Sequence, residues 1–217
     1  MNLDECIKNR RSCRFYTSKS VPLDVVGEVL EAGTYAPSSG NCQNWSFVVV
    51  TDEDKNYEVA SASKQLWMID APVFIVVCNN KRKVLDLFPD RGSLYSTQNC
   101  AFAAANIMLR AHDLGLGTCW IGAFDVTKVQ QILKIPDDMI PEIILTLGYP
   151  DKLEKEAERY TVDIVTFFNE YGKRTSDKSI FPLTKHSKTV EDKLQKAKEK
   201  GSSLFNKLKK QQFIKKK

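Results

Sequence analysis

The alternation of apolar and polar positions divides most of the chain into interleaved helices and strands. Residues 46–51 and 72–79 are dense in β-branched side chains, which is typical of buried strands, and the second stretch is apolar on both faces. Residues 118–121 and 140–147 predict two further strands. Because helical patterns lie between these strands, the chain is predicted to belong to the α/β or α+β class.

Helical periodicity predicts five helices, at residues 3–9, 22–35, 54–66, 93–114 and 125–133. The fourth is rich in alanine, which favours close packing against a neighbouring helix or a second subunit. Residues 80–92 are charged and predict a loop with a helical turn near residues 84–88. Residues 161–168 fit a strand or a helix equally well.

Charge separates the last part of the chain from the rest. Residues 175–217 contain 13 lysines and 4 acidic residues, so the net charge there is +9, whereas residues 1–174 carry a net charge of −4. We therefore predict one domain over residues 1–174 and a lysine-rich extension, helical or disordered, over residues 175–217. The extension is either a solvated appendage or an attachment to an anionic membrane or to nucleic acid, bound without sequence specificity.

Composition limits the other classes of protein. The longest apolar run, residues 71–78, is far shorter than the roughly 20 residues of a membrane-spanning helix, and the first residues do not form a secretory signal. The six cysteines form no CxxC motif, and two histidines make a zinc site unexpected. Free thiols of this kind predict a cytoplasmic protein without a bound metal.

The first candidate motif is a basic turn at residues 10–14, with the sequence RRSCR. Three guanidinium groups and one hydroxyl can surround a phosphate, because arginine donates from a planar fork that matches phosphate oxygens. The alternative is a solvated turn whose charges complement the dipole at the end of the first helix.

The second motif is a carboxamide loop at residues 36–45, with the sequence APSSGNCQNW. Its hydroxyls, carboxamides and exposed glycine backbone provide the polar groups, and its tryptophan the flat apolar surface, that a planar heteroaromatic ligand requires. The alternative is a simple connecting loop anchored by a buried tryptophan.

The third motif is a glycine segment at residues 115–125, with the sequence GLGTCWIGAFD. It is not a dinucleotide-binding fingerprint, because Trp120 stands where GxGxxG requires its last glycine and a strand follows. A helix end and a strand start explain Gly115 and Gly117. They do not explain Gly122 and Ala123, where bare backbone amides could meet the edge of a ligand.

Together the three motifs resemble those of the nitroreductase family of FMN-dependent oxidoreductases, over residues 3–172 and in the family's order and spacing. The resemblance implies an α+β fold with three layers, α/β/α, in which helices flank a central mixed, mainly antiparallel sheet. It also implies an intertwined homodimer with FMN at the subunit interface.

The resemblance implies the cofactor-binding residues as well. The basic turn would contact the FMN phosphate, ribityl chain and pyrimidine side of the ring through Arg10, Arg11, Ser12 and Arg14. The partner subunit's copy of the carboxamide loop would contribute Pro37, Ser38, Ser39, Asn41 and Gln43. The ring would be lined by Ile121, Gly122 and Ala123, with the Gly122 amide near flavin N5. Arg159 would be a second phosphate ligand, or else a surface arginine beside Glu156 and Glu158.

Three features depart from the family pattern. Asn44 stands where many members have proline, an exchange that we expect to loosen the loop without removing a ligand. The second basic cluster is reduced to Arg159 among acids, and the extension from Thr175 lies outside the family domain.

The resemblance implies that hydride passes from NADH or NADPH through flavin N5 to an electron-poor small molecule, such as a nitroaromatic or a quinone, by a ping-pong mechanism. The residues agree with a cofactor as the reacting group, because no Ser-His-Asp or Cys-His arrangement stands out. Arg10 and Arg14 would stabilise the negative charge of reduced flavin. The alternatives are a specialised reaction on the same fold (dehalogenation, dehydrogenation or flavin breakdown) or a binding protein attached through its basic extension.

Overall fold

The computed structural model describes residues 1–152 and 154–175. The chain divides into two compact units, Met1–Glu156 and Ala157–Lys217. The division between residues 174 and 175, inferred from charge, stays a prediction, and the lysine-rich extension from residue 176 onward lies outside the described residues.

The first unit contains four strands and six helices among its described residues. The strands are β1 (Trp45–Val50), β2 (Val73–Asn79), β3 (Gly117–Ile121) and β4 (Ile140–Gly148). The helices are α1 (Leu3–Asn9), α2 (Leu23–Thr34), α3 (Glu53–Ser63), α4 (Lys81–Leu85), α5 (Gly92–Asp113) and α6 (Val126–Leu133). All four predicted strands and all five predicted helices are therefore present.

Two of the predicted boundaries were wrong. Helix α3 ends at Ser63 because Lys64 adopts a left-handed conformation with φ of 55°, and a 3-10 turn, Leu66–Asp70, follows. The predicted helix to residue 66 was therefore too long. The charged loop at residues 80–92 contains α4, which begins three residues before the predicted turn.

The four strands form one sheet in the order β1-β2-β4-β3, and each neighbouring pair is antiparallel. The sheet was expected to be mixed and mainly antiparallel. Among the described residues its parallel component is limited to an isolated bridge between Ser12 and Thr118. Strand β2 lies inside the sheet and all seven of its residues are buried, as its apolar sequence predicted.

The alternation of side chains along β2 builds the three layers. Phe74 and Val76 pack in one core cluster with residues of α3 and α6, whereas Val73, Ile75 and Val77 pack in the other cluster with residues of α2 and α5. Each fully buried aliphatic or aromatic side chain stabilises the fold by roughly 1.5–3 kcal/mol. Helices therefore cover both faces of the sheet, and the predicted α/β/α arrangement is confirmed.

Within the chain, the alanine-rich helix α5 packs against α2. Gly33 of α2 lies so close to Ile107 of α5 that an added Cβ would approach its side chain to 2.8 Å. The predicted close packing of this helix is thus present inside one subunit, and its packing against a second subunit stays a prediction.

The described part of the second unit contains one short helix, α7 (Val162–Val165). This resolves the strand-or-helix ambiguity at residues 161–168. The Arg174 guanidinium donates to the Asp163 carbonyl at 2.9 Å and lies 5.1 Å from the centre of the Phe167 ring.

The described residues contain neither a candidate membrane-spanning helix nor a candidate metal site. Within residues 1–152 and 154–175, no helix combines the length and apolar character needed to cross a membrane. In the same ranges, no three histidine, cysteine, aspartate or glutamate side chains converge as metal ligands.

Candidate functional site

The fold brings the basic turn and the glycine segment together. The Cys13 amide donates to the Thr118 carbonyl at 2.8 Å, and Ser12 forms a bridge with Thr118 beside it. Gly117 permits this contact, because a Cβ there would lie 2.7 Å from both Cβ and Sγ of Cys13. Two motifs separated by about a hundred residues in sequence therefore form one continuous surface.

A cavity of about 190 Å³ lies between these two segments. Its lining includes Arg10, Arg11, Ser12, His112, Thr118 and Lys152. Arginine and lysine predominate among its charged side chains, and Glu154 is the acidic member of the lining. A concave site of this charge favours an anionic ligand such as a phosphate monoester.

Arg11 also has a structural role. Its Nη1 donates to the carbonyls of Lys8 at 2.6 Å and Arg10 at 2.8 Å, and its Nη2 lies 3.5 Å from the Glu156 carboxylate. These contacts satisfy carbonyls at the end of α1, as the helix-dipole alternative for the basic turn expects. Its role as a phosphate ligand stays a prediction.

Arg14 extends from the turn across an aromatic side chain. Its Cζ lies 5.9 Å from the centre of the Trp67 ring, and its Nη1 lies 3.5 Å from Glu154 Oε1. Half of the Arg14 side chain is exposed (49%), so its charge remains accessible to a ligand. Trp67 was not identified as a site residue from the sequence. Its sequence signal is its position, because it is an aromatic residue in the short link between a polar helix and the central strand.

The carboxamide loop is a compact turn with an unusual backbone. Gly40, Asn41 and Gln43 all have positive φ angles, of 58°, 55° and 45°. The Gln43 amide donates to Ser38 Oγ at 3.1 Å, and Gln43 Nε2 donates to Asn41 Oδ1 at 3.0 Å. Pro37, Asn41 and Gln43 are exposed, and both serines are half-buried. Left-handed asparagine and glutamine residues persist only where surrounding contacts hold them.

Asn44 supplies such contacts, and the expectation that it loosens the loop is wrong. It is 1% exposed. Its Nδ2 donates to Asn79 Oδ1 at 2.7 Å and to the Ser96 carbonyl at 3.1 Å, and its Oδ1 accepts from Asn99 Nδ2 at 2.7 Å. A proline could make none of these side-chain bonds. Asn44 therefore anchors the loop to β2 and α5.

The end of β3 presents backbone to the solvent. The Ile121 side chain is buried in the core at 2% exposure, so it can line a ligand only through its backbone. Gly122 and Ala123 are exposed, and a Cβ added to Gly122 would come no closer than 3.6 Å to Trp120 Nε1. Trp120 itself is 40% exposed. This patch of accessible backbone and aromatic surface suits the edge of a flat ring.

Arg159, the remaining predicted ligand, belongs to the second unit and is exposed. Its role as a phosphate ligand stays a prediction.

Two cysteines and one histidine near the cavity favour their neutral forms. Burial raises the pKa of the Cys13 and Cys119 thiols, which disfavours the nucleophilic thiolate. Burial, reinforced by the nearby Arg10 and Arg11 charges, lowers the pKa of His112. Near neutral pH His112 therefore adds little to the positive charge of the cavity, and neither thiol is prepared for covalent catalysis.

Comparison with known proteins agrees with this architecture. The family model described as "Nitroreductase family" matches residues 7–68 and 60–149. A Methanothermobacter thermautotrophicus protein named as a candidate NADH dehydrogenase/NAD(P)H nitroreductase is 34% identical over 155 residues, covering 69% of this chain and 78% of that protein. The FMN reductase (NADPH) of Bacillus subtilis is 26% identical over 206 residues, covering 88% of this chain and 82% of that protein.

Solved structures lead to the same family. An FMN-dependent nitroreductase from Clostridium difficile R20291 is 28% identical with a TM-score of 0.68, covering 78% of this chain and all of that chain. A nitroreductase family protein from Streptococcus pneumoniae TIGR4 is 28% identical with a TM-score of 0.69, covering 76% and 98%. From the sequence match, the shared fold and the joined motifs, we conclude that this chain belongs to the nitroreductase family.

Proposed function

We propose that this protein is an FMN-dependent oxidoreductase that passes hydride from NAD(P)H to an electron-poor small molecule, such as a nitroaromatic or a quinone, by a ping-pong mechanism. The FMN reductase, NADPH-flavin oxidoreductase and NAD(P)H nitroreductase names of its relatives support the cofactor and the donor. The observation that carries the proposal is the contact between the basic turn and β3. The cationic cavity lies at the first end of this strand, and the accessible Gly122 backbone follows its last residue.

The residues present fit FMN. The phosphate would be held at the cationic cavity by Arg10 and Ser12, where guanidinium and hydroxyl groups donate to phosphate oxygens. The ring would lie over the Gly122 and Ala123 backbone, where the absence of a large side chain leaves room for a planar group. The cavity is thus chemically suited to the anionic end of the cofactor, and the end of β3 to its flat end.

Bound FMN supplies the hydride chemistry through N5, from NAD(P)H to the acceptor. The chain supplies charge and position. Arg14, held over the Trp67 ring, would place a permanent positive charge near the pyrimidine end of bound flavin, where it would offset the negative charge that develops on reduction. The Gly122 amide can donate toward N5, and the small residues at 122 and 123 leave the ring face accessible to donor and acceptor in turn.

The proposal includes a homodimer in which the carboxamide loop of one subunit completes the flavin site of its partner. Within its own subunit the loop is bonded to α5 and β2 through Asn44 and Asn99. These bonds anchor the segment that carries the exposed side chains of Asn41 and Gln43, which could contact a second copy.

The test is the visible absorption spectrum of the purified protein, recorded anaerobically during titration first with NADH and then with NADPH. We expect flavin absorption that bleaches with at least one nucleotide and returns when a nitroaromatic or a quinone is added. A protein that stays colourless after incubation with FMN would contradict the proposal. Bleaching that neither acceptor reverses would contradict the acceptor class and leave the flavin assignment intact.

A second candidate is reductive dehalogenation. The Caenorhabditis elegans protein named "Iodotyrosine dehalogenase 1 homolog" is 25% identical over 193 residues, covering 75% of this chain and 59% of that protein. Reoxidation of the reduced flavin by a halogenated tyrosine, with release of one halide per flavin, would favour this reaction. Reoxidation by nitroaromatics alone would exclude it.

A further inference from the structure

A directed chain of hydrogen bonds runs through the protein interior and ends at the carboxamide loop. Ser39 donates to Asn99, Asn99 to Asn44, Asn44 to Asn79, and Asn79 to the Glu142 carboxylate at 2.7 Å. We call these five residues the carboxamide relay. It connects the loop to α5, β2 and β4, and its members lie far apart in sequence.

The direction of the relay is fixed by groups that cannot reverse. The Ser39 backbone N–H can only donate, so at 3.0 Å it requires the oxygen of the Asn99 carboxamide to face it. The Ser96 carbonyl can only accept, so at 3.1 Å it requires the nitrogen of Asn44. Asn79 Oδ1 accepts from the nitrogen of Asn44, so the Asn79 nitrogen is the group that faces Glu142 Oε1. Each carboxamide therefore has a single orientation that satisfies all its neighbours.

Burial makes this orientation expensive to change. The side chains of Asn44, Asn79 and Asn99 are all buried, at 1% exposure or less. Reversing one carboxamide would set oxygen against oxygen and nitrogen against nitrogen away from water, and a buried polar group without a partner costs roughly 1–3 kcal/mol. The relay is therefore rigid, because a reversal at one member would require its neighbours to reverse as well.

The relay determines how Ser39 can meet a ligand. Asn99 Oδ1 accepts from the Ser39 hydroxyl at 3.3 Å as well as from its amide. Because the hydroxyl proton is directed into the protein, the lone pairs of Ser39 Oγ remain for the ligand. Ser38 is arranged in the opposite way: its Oγ accepts from the Gln43 amide at 3.1 Å, so its proton is available to a ligand.

From this geometry we infer that Ser39 is a hydrogen-bond acceptor toward the bound ligand, and that Asn99 and Asn44 are positioning residues that impose this role. The inference rests on the proposed function, in which the carboxamide loop contacts flavin. The complementary group is a hydrogen-bond donor of the flavin, either a ribityl hydroxyl or the imide N–H of the ring.

The experiment compares two substitutions at one position. Asn99→Leu removes the acceptor for Ser39 and frees its hydroxyl proton. Asn99→Asp keeps an oxygen facing Ser39 at nearly the same volume, and in its protonated form it can still donate to Asn44 Oδ1 in place of the lost amide nitrogen. We expect Asn99→Leu to raise the FMN Kd about tenfold, the equivalent of one hydrogen bond, and Asn99→Asp to leave the Kd within about threefold of the wild-type value. Asn56→Leu is the matched control, because Asn56 is also buried but lies on α3 in the other core layer. It should leave the Kd unchanged, whatever its effect on Tm.

The measurements are FMN titration of the apoprotein, monitored by quenching of flavin fluorescence, and thermal unfolding of the same samples. Wild-type levels of FMN binding by Asn99→Leu would overturn the inference. So would a Kd that follows Tm across all three variants, since a merely structural role predicts that result. If Asn99→Leu does not fold, Ser39→Ala replaces it: a tenfold higher Kd supports the inference, and an unchanged Kd overturns it.

A parallel titration with lumiflavin, which has the imide but no ribityl chain, identifies the donor. Weakened lumiflavin binding by Asn99→Leu assigns the imide N–H, whereas weakened binding of FMN alone assigns a ribityl hydroxyl. If the wild-type protein binds neither flavin, the proposed function fails. If the wild type binds FMN and Asn99→Leu binds it equally well, only the relay inference fails.

Discussion

At the scale of single residues, Arg14 combines accessibility with a fixed direction. Most exposed arginines sample many rotamers, but this guanidinium lies over the Trp67 ring and near Glu154. A cation above an aromatic face is stabilised by roughly 0.5–1 kcal/mol at an exposed site. The arrangement gives a charged side chain a preferred orientation without burying its charge.

Arg14→Ala should therefore reduce flavin binding far more than it reduces stability. We expect the FMN Kd to rise at least about tenfold, because a charge-assisted contact is lost, and the free energy of unfolding to fall by no more than about 1 kcal/mol. Flavin titration and urea denaturation measure the two effects. The matched control is Arg91→Ala, because Arg91 also lies over an aromatic ring, that of Tyr95 at 5.3 Å. Equal losses of flavin affinity in both variants would contradict the assignment.

His112 gives the fold a dependence on pH. Its folded-state pKa is lowered by burial and by Arg10 and Arg11, against the weaker opposing effect of Asp113. The folded state therefore prefers neutral histidine, and this stability is complete above the ordinary histidine pKa and is lost as the pH falls below it. We expect the free energy of unfolding to decrease from about pH 7 to about pH 5.

The measurement is urea denaturation of wild type and His112→Gln at pH 7.5, 6 and 5, where glutamine retains hydrogen-bonding groups but does not titrate. The decrease in the free energy of unfolding toward pH 5 should be smaller in the variant. Identical pH profiles for the two proteins would contradict this role for His112.

At the scale of elements, the packing of α2 against α5 depends on glycine. An added Cβ at Gly33 would lie 2.8 Å from Cγ1 and 2.9 Å from Cδ1 of Ile107, and 3.1 Å from the Phe47 ring. Two side chains, the buried Ile107 and the half-buried Phe47, would therefore have to move. Gly27 lies in the same helix with nothing within 4 Å of its added Cβ.

We predict opposite effects for alanine at these two positions. Gly33→Ala should destabilise the protein by about 1–3 kcal/mol through overpacking, whereas Gly27→Ala should stabilise it by roughly 0.5–1 kcal/mol through helix propensity. Chemical denaturation of both variants decides the point. If Gly33→Ala proved as stable as Gly27→Ala, the close helix contact would not be a determinant of stability.

At the scale of the whole molecule, the proposed homodimer has a direct test in mixed dimers. If one site combines the basic turn of one subunit with the carboxamide loop of its partner, Arg14→Ala and Ser39→Ala damage different halves of that site. Random exchange of the two variants then restores about a quarter of the sites, since half the dimers are mixed and one of their two sites is intact.

The measurement is NAD(P)H-dependent turnover of the two variants, assayed separately and after mixing under mild denaturation and refolding. Recovery of activity above the average of the separate variants supports a shared site. The absence of any recovery, in a mixture shown by mass spectrometry to contain mixed dimers, would place both halves of the site in one subunit.

The sequence alone determined the elements and their class, because these depend on local patterns. The stretch at 72–79 is apolar on both faces, and the strand formed there is fully buried. Asp125 predicted the start of α6, and in the structure its side chain accepts a hydrogen bond from the Lys128 amide. The order and composition of the three motifs also indicated the family. Helix ends were less predictable, since the left-handed Lys64 that ends α3 has no distinctive local signal.

Only the tertiary structure decided which residues meet. The contact of Cys13 with Thr118, the position of Arg14 over Trp67 and the anchoring of the loop by Asn44 all join distant segments. Asn44 illustrates the reason. Beside a turn-forming sequence, an asparagine in place of proline suggests a loose loop. In the structure Asn44 anchors the loop through Asn79 and Asn99, which lie next to it only when the sheet and α5 have packed. Local sequence sets the available hydrogen-bonding groups, and folding determines the partners that satisfy them.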